Sequence, residues 1–515
     1  MALEVAPSAP AAQRRALVGS YTWIGLAGSV LIAITAPLWR LSGPTWRVSI
    51  PGIPHNGERP FTAIAFVVGV SMLSLAWLGL IARTERSDLS HRARMRKVIG
   101  CAALWFAPLL LGPPLLSSDL YSYAAEGAMV TQGLDPTVDG MYKLHYGDYV
   151  ARTDPVWRTD PSDPEKSLGN PYGPVQMGSA AAIVDLSSHD VDLTLWGLRL
   201  LAVASVFASI WGIAAIARHF GVDPPTAVAI GIANPITVLH LVGGAHNDAF
   251  LMAFLVTGCA FALRGRWALG VVFIALAMGV KLPAAAAIVY LGWHRVGATA
   301  AIRERVRSVA RALSGAFALT LALCALIGMS LIGWIQSMQN SGRTLGTLSF
   351  TTRVGYVVSS LFRAVGLPST DSTWIAVCRL GGLTAAGALC LWMLARVERI
   401  GAIQAAAFAM MAVVLLGPVV WPWYLVPAIA LLGASGVGRW RPSLLVLTIA
   451  FAFEVLPVGQ KSKPVLEGSH FVSLLFILLI AVLAIAAPFA VEWWRSFDED
   501  DELPDAGPLP YAPAD

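Results

Sequence analysis

SSDLYSYAAEG, residues 117–127, follows directly on an apolar run that ends at Leu116. On a helix, Asp119 and Tyr123 are i,i+4 neighbours, as are Ser122 and Glu126, so a polar cluster gathers at the helix start. Ser117 or Ser118 supplies the N-cap hydroxyl. A carboxylate at the lip of a membrane helix, with tyrosines just behind it, points to chemistry at a membrane surface. The same letters also describe a capped interfacial helix whose tyrosines anchor among the headgroups. The choice depends on the rest of the chain.

Of the 515 residues, 56% are hydrophobic and 13% charged, about half the charged share of a soluble domain. About fourteen apolar stretches, from 21–39 to 471–494, approach the roughly 17–25 residues that span a bilayer, and several are short enough to be half-helices. The expected fold is an all-α polytopic membrane protein, a bundle of about 12–14 transmembrane helices over 21–495. Disordered cytoplasmic ends are expected at 1–20 and at 496–515, which carries the acidic DEDDELPD. The first apolar run has no small-residue cleavage site after it and reads as a span rather than a signal peptide. Cys101, Cys259, Cys324, Cys378 and Cys390 show no CxxC or Cys/His spacing and read as small core residues. The sequence has no soluble domain and no internal repeat of the transporter kind.

The net charge is +5, and its distribution sets the topology. Arg83, Arg86, Arg92, Arg94, Arg96 and Lys97 share one gap between spans, and Arg303, Arg305, Arg307 and Arg311 share another. Arg264 with Arg266, Arg396 with Arg399, and Arg439 with Arg441 mark three more. With the N-terminus inside, every group falls on the cytoplasmic side, which is the positive-inside pattern and not a nucleic-acid patch. Loops 40–61, 117–190, 336–374 and 458–470 then face outward. The longest, 117–190, mixes Asp135, Asp139, Asp148, Asp154, Asp160 and Asp163 with Tyr142, Tyr146, Tyr149 and Trp157. It ends in NPYGPVQMGSAAAIVDL, a Pro-Tyr-Gly-Pro turn leading into a short apolar helix. Two short near-membrane helices are therefore expected in this loop, with 133–170 suited to a mobile lid.

Ionisable residues at membrane-helix ends are costly and are candidates for function. In GGAHNDAF, Gly243 and Gly244 permit a sharp turn that presents His246, Asn247 and Asp248 together. A helix cap at Asp248 is the plainer reading, but a cap does not need the histidine. Lys281, in GVKLPAA, has no acidic neighbour in sequence; it either meets a phosphate or snorkels. Arg343 and Arg353 lie in a Gly/Thr/Ser-rich outer loop, and arginine binds phosphate bidentately. Lys461 and Lys463 are explained by attraction to the lipid surface. Trp421, Trp423 and Tyr424, in VVWPWYLVP, are either an interfacial belt or a sugar-stacking surface. Glu454 is an intramembrane carboxylate with no partner evident from sequence.

An outer Asp before a near-membrane helix, a second such helix, then many spans: this order resembles the GT-C superfamily of polyprenol-phosphate-sugar glycosyltransferases. Within it, SSDLYSYAAEGAMVTQGLDP, NPYGPVQ, GGAHNDA and the lysine of GVKLPAA resemble the actinobacterial polyprenol-phosphate-mannose α-1,6-mannosyltransferases over residues 98–430. Those enzymes build the mannan core of lipomannan and lipoarabinomannan, and the form here is closer to the branch assigned to the proximal mannan. The resemblance implies a multi-pass plasma-membrane enzyme working on the outer face. It would use a polyprenol-phosphate-mannose donor and a lipid-anchored mannan acceptor, by a single inverting displacement. That step needs a base on the acceptor 6-hydroxyl and charge stabilisation on the departing lipid phosphate. Asp119 is the expected base, its pKa raised by burial, with Glu126 as the alternative. His246, Lys281 and Arg353 are expected on the donor phosphate, and Tyr123, Tyr172, Asp248, Trp421 and Trp423 on sugars. Ser117 stands where a DxD pair would need its first carboxylate, so no metal and no cofactor is expected. A polyprenol-linked sugar flippase is the alternative; it predicts pseudo-symmetric halves and polar groups spread through the membrane depth.

Overall fold

A computed structural model describes residues 11–35, 60–144, 149, 171–341, 349–458, 461–464 and 470–500. The expectations for loop 40–61, for Arg343, for most of the 133–170 lid and for the chain ends at 1–10 and 501–515 lie outside the described residues.

Three helices lead to the opening motif: α1 (Ala11–Thr35), α2 (Pro60–Glu85) and α3 (His91–Leu111). The loop that follows carries the two expected short helices, α4 (Asp119–Thr131) and α5 (Pro174–Leu186), each of 13 residues. They approach closely where Gly127 faces Ala180: a Cβ at Gly127 would stand 2.6 Å from the Ala180 carbonyl carbon. Next come α6 (Val191–His219), α7 (Pro224–Ile232) and a π-helical turn, Thr237–Gly243. Then follow α8 (Asp248–Leu263), α9 (Trp267–Met278) and α10 (Ala285–His294). The remaining helices of eight residues or more are α11 (Ile302–Leu326), α12 (Leu331–Ser341), α13 (Phe350–Ala364), α14 (Asp371–Ala395), α15 (Ala402–Leu416), α16 (Val426–Ser435), α17 (Arg441–Ala452) and α18 (His470–Asp500). A single antiparallel hairpin, β1 (Val455–Val458) with β2 (Lys461–Pro464), pairs Val455 with Pro464 and is the one departure from an all-α chain among the described residues.

Among the described residues, five helices are long and apolar enough to cross a membrane: Ile64–Glu85, Val191–His219, Ile302–Leu326, Asp371–Ala395 and His470–Glu492. Helix α7 and the π-helical turn that follows it, bent by 62° from one another, make a sixth, and six apolar helices of 10–17 residues accompany them. The short ones arise where proline and glycine interrupt apolar sequence, as at Pro235, Pro283 and Pro422. At the chain ends, α1 begins at Ala11, within the stretch expected to be disordered, and α18 runs on to Asp500. The letters AAQRRAL explain the early start, because alanine, glutamine, arginine and leucine are all good helix formers.

The basic gaps are tied to one another by ion pairs. Arg94 meets Asp223 at 3.0 Å, Arg441 meets Glu85, and Glu398 takes both Arg305 at 3.1 Å and His294 at 2.8 Å. The opening motif and the GGAHND turn belong to the opposite helix ends.

The end of α3, which aims the opening motif, is held by a residue that sequence patterning does not single out. Arg199 on α6 is buried, and its guanidinium donates to the carbonyls of Gly112 (2.7 Å) and Leu109 (2.8 Å). Carbonyls at a helix end lack helical partners, so the cation caps them. From the other side, α12 and the residue before it strap the loop that carries α4 and α5. Ser330 N–H donates to Asp135 Oδ2 (2.7 Å), Ser337 to the Thr137 carbonyl (3.0 Å) and the Trp334 indole to the Pro171 carbonyl (2.9 Å).

Candidate active site

Asp119 opens α4 shortly after Leu116, a non-glycine residue at φ 61°. A left-handed leucine costs of order 1–2 kcal/mol, and such strain persists where surrounding contacts over-determine it. Here Leu115 N–H is bonded to the Gly243 carbonyl at 3.0 Å, locking the approach to the motif onto the glycine pair of GGAHND. The expected N-cap hydroxyl belongs to Ser117, which accepts the Asp119 N–H at 3.0 Å. Ser118 occupies the cap position without a side-chain bond.

The histidine turn is built by a break in a helix. Pro235 has no N–H to donate and pushes Asn234 out of helical geometry. The Asn234 amide answers by donating to the carbonyls of Ile230 and Gly231, each at 2.9 Å, while its oxygen accepts the Thr237 N–H. Past this 62° bend the chain makes a π-turn, a form that recurs at functional sites. It then reverses through Ala245 at φ 53°. His246 is thereby set with Nδ1 3.4 Å from Asp119 Oδ2.

NPYG brings the third part. The segment pairs with the chain just before Lys281: Gly173 N–H donates to Val280 (3.1 Å) and Val175 N–H to Gly279 (2.9 Å). Only glycine fits at 173, because a Cβ there would collide with the Gly279 carbonyl oxygen. The docked Tyr172 hydroxyl donates to Asp119 Oδ2 at 3.1 Å, and the Tyr123 hydroxyl reaches the same oxygen at 3.5 Å. The two rings meet edge to face, 5.1 Å apart. Lys281 finds the acid that its sequence neighbours lack: Nζ lies 2.5 Å from Asp248 Oδ2, 33 residues away. The ammonium also sits over the rings of Tyr424 (4.3 Å) and Tyr172 (5.3 Å).

Four motifs distant in sequence thus converge on one carboxylate. Tyr172, Tyr123 and His246 all approach Oδ2, while the side chain as a whole stays 21% exposed. Asp119 differs electrostatically from the expectation. Burial raises its pKa, but the hydrogen bond and charge of His246, the Ser117 hydroxyl and the Lys281 charge together hold it below the usual carboxylate value. It is an ionised acceptor, not an acid tuned upward. Burial, reinforced by the Asp119 charge, pushes both tyrosine hydroxyls well above their ordinary range and keeps them as donors.

The other expected residues fall in distinct places. Glu126 is 2% exposed, so Asp119 is the more accessible carboxylate. Asp248 is buried as the counter-ion of Lys281. His246 is fully buried behind Asp119, stacked on Trp423 at 3.7 Å and 16°, and Trp423 stacks in turn on Trp421 at 4.9 Å and 8°. Trp423 is therefore interior, while Trp421 is partly exposed. Arg353 is buried on α13 with Nη1 2.7 Å from His470 Nδ1, and that imidazole stacks on Tyr356. Arg379 on α14 bonds Thr352 and the Pro418 carbonyl, so this basic group borders the linker that leads to Trp421. Tyr121 is buried rather than anchored in headgroups. Two residues near the site go unmarked in the sequence: Arg379, and His240, whose ring lies 5.0 Å from Trp423. His240 sits in the apolar run TVLHLV, where only the preceding Asn-Pro break gives a signal.

An ionised carboxylate, paired tyrosines, a lysine and a tryptophan face meet at one end of a membrane bundle, a set of groups that a membrane-embedded glycosyltransferase can use. Comparison with known proteins narrows it. A family described as alpha-(1->6)-mannopyranosyltransferase, N-terminal domain, matches residues 22–297, and the MptB C-terminal domain matches residues 351–490. The chain is 29% identical to alpha-(1->6)-mannopyranosyltransferase B of Corynebacterium glutamicum, over 84% of this chain and 74% of the relative. It is 31% identical to alpha-(1->6)-mannopyranosyltransferase A of Mycobacterium tuberculosis, over 70% of this chain and 69% of the relative. A probable alpha-(1->6)-mannopyranosyltransferase of Mycolicibacterium smegmatis is 28% identical over 94% of this chain and 91% of its own length. The chain belongs to the alpha-(1->6)-mannopyranosyltransferase family and is a mannosyltransferase.

Proposed function

We propose that the protein transfers mannose from polyprenol-phosphate-mannose to the 6-hydroxyl of a growing α-1,6-mannan chain, the core of lipomannan and lipoarabinomannan, at the outer face of the plasma membrane. The observation that carries this reading is the ionised, partly exposed Asp119 carboxylate, with Lys281 close enough to lower its pKa. In the step, the acceptor O6 attacks the anomeric carbon while the bond from that carbon to the phosphate oxygen breaks. Its electron pair leaves with the polyprenyl phosphate, and the O6 proton passes to Asp119. Inversion converts a β-linked donor into an α-linked product. Tyr172 and Tyr123, holding Oδ2, fix the carboxylate's orientation, so the base needs no reorganisation as the proton arrives.

Lys281 is the candidate for the growing charge on the phosphate, whereas Arg353 is buried on α13 against His470. The ion pair with Asp248 holds the Lys281 ammonium in place before the donor arrives. A flippase has less support, because the polar constellation gathers at one end of the bundle and not along a path through it.

The test is mannose transfer to a short α-1,6-mannoside by membranes carrying wild type or Asp119→Asn. Loss of a general base lowers the rate by about 10²–10⁴-fold, and that loss is expected here with the protein still inserted. Undiminished transfer by Asp119→Asn removes the base assignment. Lipid translocation without transfer by the wild type replaces the whole reading with the flippase.

A further inference from the structure

Trp421, Trp423 and His246 form three nearly parallel layers, with ring separations of 4.9 and 3.7 Å and tilts of 8° and 16°. The inner end of this pile touches the reacting centre, because His246 Nδ1 lies 3.4 Å from Asp119 Oδ2. The outer end is Trp421, the partly exposed ring of the three. The middle ring is clamped: His240 bears on Trp423 from the side at 5.0 Å and 46°, and Tyr424 meets it edge-on at 6.0 Å. His240 is fully buried, and neither of its ring nitrogens has a hydrogen-bond partner among the described residues. Burying such a ring unpaired is destabilising, so an apolar side chain would serve better if filling space were its whole task.

We propose that the outer face of Trp421 is a binding subsite for an acceptor sugar ring, and that Trp423 and His240 are positioning residues that fix His246, and through it Asp119, against that ring. The chemistry follows from the surfaces. The face of an indole carries negative charge density and suits the slightly positive C–H face of a pyranose, whereas a lipid phosphate is repelled by it. A flat platform separated from the carboxylate by the Trp423 and His246 rings holds an acceptor residue beyond the one that reacts. The subsite rests on the mannosyl-transfer reading above and adds to it a preference for acceptors of more than one ring.

The experiment uses the purified full-length protein, polyprenyl-phosphate-mannose and methyl α-mannosides of one to three rings. Trp421→Ala is expected to raise the KM of the two- and three-ring acceptors about tenfold, and Trp421→Phe to restore most of it. Trp423→Leu and His240→Leu are expected to lower kcat and to move the acid limb of the kcat/KM profile to higher pH. The reason is that Asp119 loses the His246 contact that holds its carboxyl low. The other titratable groups facing Asp119 are Tyr123 on α4, Tyr172 ahead of α5, Asp248 on α8, Lys281 between α9 and α10 and Tyr424 beside Trp423, all unchanged in these variants. Trp423→Phe, which keeps a ring in the pile, is expected to return the limb toward wild type and guards against misfolding of the leucine variants. An unchanged acceptor KM in Trp421→Ala, with Asp119→Asn inactive, overturns the subsite and leaves the activity standing. Lower rates with an unmoved acid limb in all Trp423 and His240 variants overturn the positioning role. If the wild type transfers no mannose at all, the subsite falls together with the activity.

Discussion

At Asp119 two opposing effects act on one proton. Burial favours the neutral acid, while His246, Ser117 and Lys281 favour the anion and prevail. A carboxyl whose folded pKa is depressed adds stability above its unfolded value, about 3.9, and loses that contribution as pH falls through the lower folded value. The acid limb of kcat/KM for the wild type is therefore expected below about pH 4. His246→Gln, which keeps the bulk and removes the imidazole 3.4 Å from the Asp119 carboxylate, should carry that limb upward. A limb that stays put in pH-rate profiles of the two proteins detaches His246 from the base. At Lys281 the question is one of pairing. Lys281→Met leaves Asp248, 2% exposed at the side chain, without its cation, and breaking a buried pair costs about 3–5 kcal/mol. The thermal unfolding temperature should thus drop sharply in Lys281→Met and recover in the Lys281→Met/Asp248→Asn double variant. The donor KM should remain raised in both. Recovery of donor affinity along with stability would mean that Lys281 serves only Asp248.

At the scale of elements, the site depends on how closely two backbones run. Tyr172 reaches Asp119 because Gly173 and Val175 are bonded to Val280 and Gly279 at 3.1 and 2.9 Å. Gly173→Ala forces a Cβ against the Gly279 carbonyl and to 2.7 Å from the Trp334 ring. Such crowding costs about 1–3 kcal/mol. The strand-like seam should open and Tyr172 withdraw, with kcat falling more than about tenfold and a lower unfolding temperature; a variant as active and stable as wild type would show the seam to be dispensable. The letters themselves mark much of this. Asp119, Tyr123, Tyr172, His246, Asp248 and Lys281 stand out as polar residues beside Gly and Pro breaks in apolar sequence, and all six converge. What the letters hide is partnership across distance. No local pattern links Lys281 to an acid 33 residues earlier, or tells that Arg199 caps α3 from the middle of α6. His240 is concealed because a histidine among valines and leucines reads as core. The depressed pKa of Asp119 escapes sequence for a related reason, since burial is easier to foresee than the charges that answer it.

For the whole molecule, composition and the arginine-bearing gaps are enough for the class and for the grouping of helix ends, because both are sums over many residues. The division into full and short helices is not legible in this way, since a Pro-Gly break and a true turn look alike until packing decides between them. The grouping itself has a measurable consequence. Arg94, Asp223, Arg305, Glu398, Arg441 and Glu85 are joined in ion pairs among the basic gaps, and the positive-inside rule assigns that end to the cytoplasm. Asp88 lies exposed in the first of these gaps, while Lys143 lies exposed in the loop that carries α4 and α5. The five native cysteines are buried or half-buried and give a low background to a membrane-impermeant maleimide. In intact cells Lys143→Cys should be labelled at once, and Asp88→Cys only after the membrane is permeabilised. The reverse order would put the Asp119 carboxylate on the cytoplasmic side, where a donor displayed on the outer leaflet could not reach it, and the proposal that transfer takes place at the outer face would fall.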